Sequence, residues 1–301
     1  DRLHLEPGSK VVTGGGSDAP AHVQPARFLF VFTFRMPILI QQAAALWRAR
    51  VLCWVLTQRE IAARYAGTAL GAVWAYAQPL LTVAAYYLVF DVVFAIRMGA
   101  GAANHAAGTY LIAGMLPWMA FADALSRGMA SLLESGPVPQ KNALPPMLFP
   151  ARAVAASSMV FGPLLLLLLL AYAPLHRFGA ATLAFPVLML LQVLLCVLWG
   201  ATLAILAAAL RDTMQFVGFA LSLGVFLSPV LFPASQFPEG WAWVLWLNPM
   251  TAWVSGYQSV LLLGAWPTVS VWVGIATWVV LGALLLNLLL RRSLDQLTDW
   301  L

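Results

Sequence analysis

From Ala153 to Leu210 the chain carries a single charged side chain, Arg177, and an apolar run stands on each side of it. Few folds accommodate that. A helix of about 20 apolar residues crosses the hydrocarbon of a bilayer. In lipid, each backbone N–H and C=O must also be satisfied internally, which a helix does by itself. Six such runs can be marked, at roughly 70–96, 109–131, 154–173, 182–209, 214–232 and 268–290. Of the 301 residues, 62% are hydrophobic and 9% charged, whereas a soluble domain carries about 25% charged residues. The expected fold class is therefore an all-α polytopic membrane protein. Cys53 and Cys196 lie in unrelated apolar surroundings and read as packing residues.

Arginine and lysine set the orientation, since they concentrate in short cytoplasmic loops. With both termini inside, the cytoplasmic segments hold Arg48, Arg50, Arg59, Arg64, Lys141, Arg152, Arg211, Arg291 and Arg292, against Arg97 and Arg177 outside. The net charge of +5 thus reports topology, and no nucleic-acid partner is expected. Residues 1–45 form an N-terminal extension, polar and rich in Gly and Pro at its start, expected to be disordered or in part non-native. Residues 1–35 read as an upstream segment without its own function, with Met36 as a natural start.

Two segments depart from simple spans. Residues 46–66, LWRARVLCWVLTQREIAARYA, alternate apolar and polar faces at helical spacing and carry four arginines. They are expected to lie as an amphipathic helix in the cytoplasmic interface, with Trp47 and Trp54 at headgroup depth. Residues 233–267 are apolar but broken by Pro233, Pro238, Pro249 and Pro267, and their Trp241, Trp243, Trp246, Trp253 and Trp266 suit a membrane interface. Two short helices joined at Asn248-Pro249, dipping into the outer leaflet and returning, fit better than a seventh span. A seventh span would put Arg291 and Arg292 outside. Broken backbone at membrane depth has to be covered by protein or line a wet cavity.

The chain shows no catalytic constellation. Neither lysine stands in a phosphate-binding Gly-x-x-x-x-Gly-Lys-Ser/Thr loop, there is no His-Glu-x-x-His or Cys-x-x-Cys, and the four histidines are scattered. The expectation is a non-enzymatic chain with no metal or cofactor of its own, energised by a separate ATPase or an ion gradient. Asp91, Asp123 and Arg127 are the charges inside the expected spans. Asp123 and Arg127, four residues apart on one helix, can satisfy each other. Residues 132–150 form a long cytoplasmic loop stiffened by five prolines, with a short helix expected around 139–144 that exposes Lys141 and Asn142.

Four stretches in order, REIAARYAGTALGAVWAYAQPLL at 59–81, YLIAGMLPWMAFADALSRGMASLLES at 110–135, LRDTMQFVGFALSLGVFLSPVLFP at 210–233 and LNPMT at 247–251, resemble the membrane subunit of polysaccharide-exporting ABC transporters. That family includes the permeases for O-antigen, capsule and teichoic acid, and the resemblance covers roughly 46–301. It implies a homodimer of six-span subunits in the bacterial inner membrane, paired with two ATP-binding subunits that hold the ATP and Mg. It also implies a lipid-linked polysaccharide as cargo and a periplasmic co-polymerase or export partner. The 132–146 region resembles the helix that docks into the ATPase, which turns Glu134, Pro139, Lys141, Asn142 and Pro145 into partner contacts. The first and fifth spans would frame the conduit. Aromatic faces let sugar rings slide, so Trp74, Tyr76, Tyr86, Tyr87, Phe216, Phe219 and Phe226 are the expected lining, with lipid-facing or core packing the other reading of each. Arg59, Arg64 and Tyr65, at headgroup level, would hold a diphosphate-linked lipid at the entrance, and Gly67 and Gly71 would turn the chain into the membrane. The alternative function is an ion-coupled carrier or lipid flippase without an ATPase, dependent on Asp91 or Asp123.

Overall fold

In the computed structural model, residues 38–94, 97–98, 105–136, 144–175 and 179–293 are described. The helices are α1 Ile38–Arg48, α2 Arg50–Arg64, α3 Val73–Tyr87, α4 Ala107–Ser135, α5 Leu148–Tyr172, α6 Ala184–Ala209, α7 Asp212–Gly224, α8 Ala242–Trp246, α9 Met250–Leu263 and α10 Val269–Ser293. A two-residue antiparallel ladder joins Arg97–Met98 (β1) to His105–Ala106 (β2), an addition to the expected all-helical chain. The expectations for residues 1–35 and for a helix at 139–144 lie outside the described residues.

Among the described residues four segments are long and apolar enough to cross a membrane: Val73–Val93, Leu148–Tyr172, Ala180–Ala209 and Val269–Ser293. The first is α3 extended by a π-helical turn, Leu88–Val93. The central helix is α4, packed by α3, α5, α6, α7 and α9. Its 29 residues give about 43 Å at about 1.5 Å per residue. The backbones of α4 and α6 meet at paired glycines. A Cβ on Gly128 would stand 3.1 Å from the Gly200 Cα, the close approach that small residues permit between helices in lipid.

Three boundaries differ from the sequence expectation. Helix begins at Ile38 because Ile38, Leu39 and Leu46 pack on Leu286 and Leu290 of α10, so residues 38–45 belong to the folded part. The expected 46–66 helix is kinked at Ala49 (φ −88°, ψ 11°), where Arg50 turns back to donate to the Trp47 carbonyl at 3.2 Å. The 214–232 run is helical only to Gly224 and continues as turns. A Cβ on Gly224 would lie 2.5 Å from the Trp118 ring, and Pro229 has no N–H to continue a helix. Side chains satisfy the freed carbonyls instead. The Gln258 amide donates to Pro229 O at 2.8 Å, and the Tyr110 hydroxyl is 3.1 Å from the same oxygen.

The broken segment forms two helices, α8 and α9, joined through Leu247–Pro249, and α9 is mostly buried. Trp241, Trp243, Trp246 and Trp266 are exposed, whereas Trp253 is fully buried. Trp253 is thus a core residue rather than an interface anchor, its indole N–H donating to Leu188 O at 3.3 Å. A polar chain crosses this core: Tyr257 donates to Gln192 at 2.9 Å, and Gln192 to Pro117 O at 2.9 Å.

Candidate functional site

The turn into α3 depends on Gly67 (φ +79°) and Gly71 (φ +53°), a left-handed backbone that side chains with a Cβ resist. Beyond it, Trp74, Gln78, Thr82, Tyr86 and Phe90 recur at every fourth position and line one open groove of about 570 Å³. Tyr86 and Phe90 stack with centroids 6.2 Å apart. Of the four aromatics expected here, Trp74 and Tyr86 share this face. Tyr76 points elsewhere, donating to Met159 O of α5 at 3.4 Å, and Tyr87 is exposed outside the groove. The i, i+4 rhythm from Trp74 was the signal that adds Gln78, Thr82 and Phe90. Phe216 and Phe219 on α7, and Phe226 in the turns that follow it, are all strongly exposed. Phe216 also lines a separate groove of about 420 Å³ with Trp118, Trp199, Trp278 and Asn248.

At the entrance the two expected arginines part. Arg59 is exposed and has no ionic partner among the described residues. Arg64 is 12% exposed and bonds Glu60 at 2.8 Å. Glu60 also lies 3.8 Å from Arg152 at the start of α5. Arg152 in turn donates to Ser135, at the end of α4, at 3.2 Å and sits over the Phe149 ring at 5.2 Å. The α2 helix is thereby tied to both flanks of the 136–147 loop. Cys53 is part of that seam. Burial pushes its thiol up, opposed by the Thr57 hydrogen bond and the Arg152 charge.

Arg64 and Tyr65 open onto a cavity of about 310 Å³ whose wall includes Gln78, Trp118, Asp123 and Arg127. Asp123 accepts from Arg127 Nε at 2.7 Å and from the Ser157 hydroxyl at 2.7 Å. Asp91, in the π turn, accepts the Gly108 N–H at 2.5 Å and so caps the first turn of α4, where free N–H groups favour an anion. Both acids on which an ion-coupled carrier would depend therefore have local partners.

On the loop side, Glu134 is exposed and Pro145 half-buried; Pro139, Lys141 and Asn142 lie outside the described residues. Asn248 does more than turn the chain. Its amide donates to Gly224 O at 2.7 Å and Leu227 O at 3.2 Å, and its oxygen accepts the Met250 N–H at 3.0 Å. Pro249 then occupies the N-cap of α9, where its missing N–H costs nothing. Among the described residues no three metal-ligating side chains cluster.

Residues 51–262 match the family model described as ABC-2 type transporter. A Myxococcus xanthus protein named O-antigen export system permease protein RfbA is 30% identical over 227 residues, covering 74% of this chain and 84% of the relative. Two Klebsiella pneumoniae proteins of the same name are each 23% identical, covering 70% of this chain and 80% of each relative.

Proposed function

The chain belongs to the ABC-2 type transporter family, and from that premise we propose that it is the membrane subunit of an exporter that moves a lipid-linked polysaccharide of the O-antigen kind across the bacterial inner membrane. The observation that carries this reading is the alignment with relatives named O-antigen export permeases over 70–74% of the chain. ATP hydrolysis belongs to a partner subunit, and two copies of this chain assemble with two copies of that ATPase.

In this reading α3 with its π turn, α4, α5, α6, α7 with its turns to 232, and α10 are the six spans. The helices α8 and α9 dip in from the outer side, and both termini are cytoplasmic. The loop following Glu134 meets the ATPase, a role supported by the tie from Ser135 and Arg152 to α2. The groove on α3 is the conduit wall. Its aromatic faces on either side of Gln78 and Thr82 suit a hydroxyl-rich polymer, because rings stack on aromatics while amide and hydroxyl groups exchange hydrogen bonds.

The test is coexpression with the adjacent ATP-binding subunit in a cell lacking its own O-antigen permease. Copurification of the two proteins and polymer on the cell surface are expected. An ATPase that does not copurify, or export that persists with a hydrolysis-dead ATPase, would overturn the reading.

A further inference from the structure

Two cavities meet at one ion pair, and a third adjoins them. The 310 Å³ cavity lined by Arg64, Gln78, Asp123 and Arg127 shares Gln78 with the groove along α3. It shares Asp123 and Arg127 with a groove of about 550 Å³ between α4 and α7, where Ser126, Ser222 and, farther along, the acid Glu134 also stand. The pair is unevenly committed. Both Asp123 oxygens are occupied, one by Arg127 and the other by Ser157. Arg127 uses only its Nε, and no acceptor meets its terminal nitrogens among the described residues. Its side chain is 39% exposed. Arg64, in the wall of the same cavity, holds a buried Nε with no hydrogen-bond partner.

From this geometry we propose that Arg127 and Arg64 form a site for a phosphate or diphosphate group, with Asp123 and Ser157 positioning the Arg127 guanidinium. Arg64, Asp123 and Arg127 line the cavity; each arginine is paired on one side only, Arg64 with Glu60 and Arg127 with Asp123, which leaves Arg64 Nε and the Arg127 terminal nitrogens as donors. A guanidinium with a free edge offers parallel N–H donors that match phosphate oxygens two at a time. The volume equals roughly ten waters at about 30 Å³ each, enough for a diphosphate and its nearest waters. Gln78 connects the site to the apolar, aromatic groove on α3. The occupant is therefore an anion that carries an apolar or sugar-bearing extension. Only this assignment of the anion to a lipid-linked substrate rests on the export reading.

If the pair merely braced α4 against α5, neutralising either member would have effects of the same sign. An anion site demands opposite signs. The full chain in lipid nanodiscs is titrated with farnesyl diphosphate, inorganic pyrophosphate and uncharged farnesol, with isothermal titration calorimetry as the readout. Farnesyl diphosphate is expected to bind, Arg127→Gln to weaken it about tenfold, and Asp123→Asn to tighten it about threefold by removing the competing carboxylate. If Arg127→Gln does not fold, Arg127→Lys decides: it keeps the charge but loses the fork, and affinity several-fold weaker supports the site while unchanged affinity overturns it. Pyrophosphate binding as tightly as farnesyl diphosphate supports the site with a soluble anion as occupant. A tenfold preference for the lipid supports a headgroup. Farnesol competing as well as the diphosphate, or both neutralising variants moving affinity in the same direction, overturns the proposal. The measurement needs no ATPase, so its failure leaves the export reading standing, and failure of ATPase association leaves this site standing.

Discussion

The helices α3 and α5 give similar signals in the sequence and opposite ones in the fold. Both have an apolar stretch of spanning length, yet α5 buries 50% of its most apolar stretch and α3 with its π turn only 11%. The faces of α5 are filled by α2, α4 and α6. Most of α3 is left for whatever surrounds this chain. Hydropathy reports that a segment tolerates lipid; it does not say whether its neighbours are lipid, polymer or protein. What distinguishes α3 is the polar pair Gln78 and Thr82 within an aromatic stripe, a pattern absent from the leucine run of α5.

The contrast is broken most severely at the packed end. Gly128→Val puts a branched side chain against the Gly200 backbone. Helices that cannot move apart make overpacking cost about 3 kcal/mol, and the expected result is little monodisperse protein by size-exclusion chromatography. Normal yield would show that α4 and α6 are free to separate. Next comes Asn248→Ala, which strands the carbonyls of Gly224 and Leu227 at a cost of about 1–3 kcal/mol, read as a melting temperature several degrees lower. Tyr257→Phe loses one buried hydrogen bond and about 1 kcal/mol. In contrast, Gln78→Ala and Tyr86→Ala on the open stripe are expected to change stability by less than about 0.5 kcal/mol while reducing polymer export. A melting-point loss equal to that of Tyr257→Phe would mean that α3 is core after all. The smallest effect concerns rate alone. Because burial holds the Cys53 thiol up, maleimide labelling there is expected to be slow at neutral pH and to accelerate as pH rises past the ordinary thiol range; fast labelling at pH 7 would show that α2 lifts off α5.

Much of this was legible from residues that act locally. Gly67 and Gly71 marked a turn because glycine reaches positive φ without strain, and Asn248-Pro249 marked a break because proline cannot continue a helix. What escaped the sequence depends on partners far along the chain. Trp253 resembled its interfacial neighbours until Leu188, 65 residues away, took its N–H. The sequence marked Arg64, but its bond to Glu60 and the cavity it shares with Arg127 are visible only in the fold. The Trp118 ring occupies the space a Cβ at Gly224 would need, which no pattern around 224 announces. Aromatic content alone picked out Trp74, Tyr76, Tyr86 and Tyr87, and the fold puts only Trp74 and Tyr86 in one groove, because counting aromatics ignores the helical angle between them.

Asn248 also bears on how the protein ages. Asparagine deamidates when the backbone nitrogen of the following residue attacks its side-chain amide, and an aspartate here would turn acceptor oxygens toward the Gly224 and Leu227 carbonyls that the amide now serves. The following residue is Pro249, whose nitrogen carries no hydrogen and cannot close that ring. The same proline that starts α9 thus shields the amide on which the joint depends from the commonest route of spontaneous chemical damage.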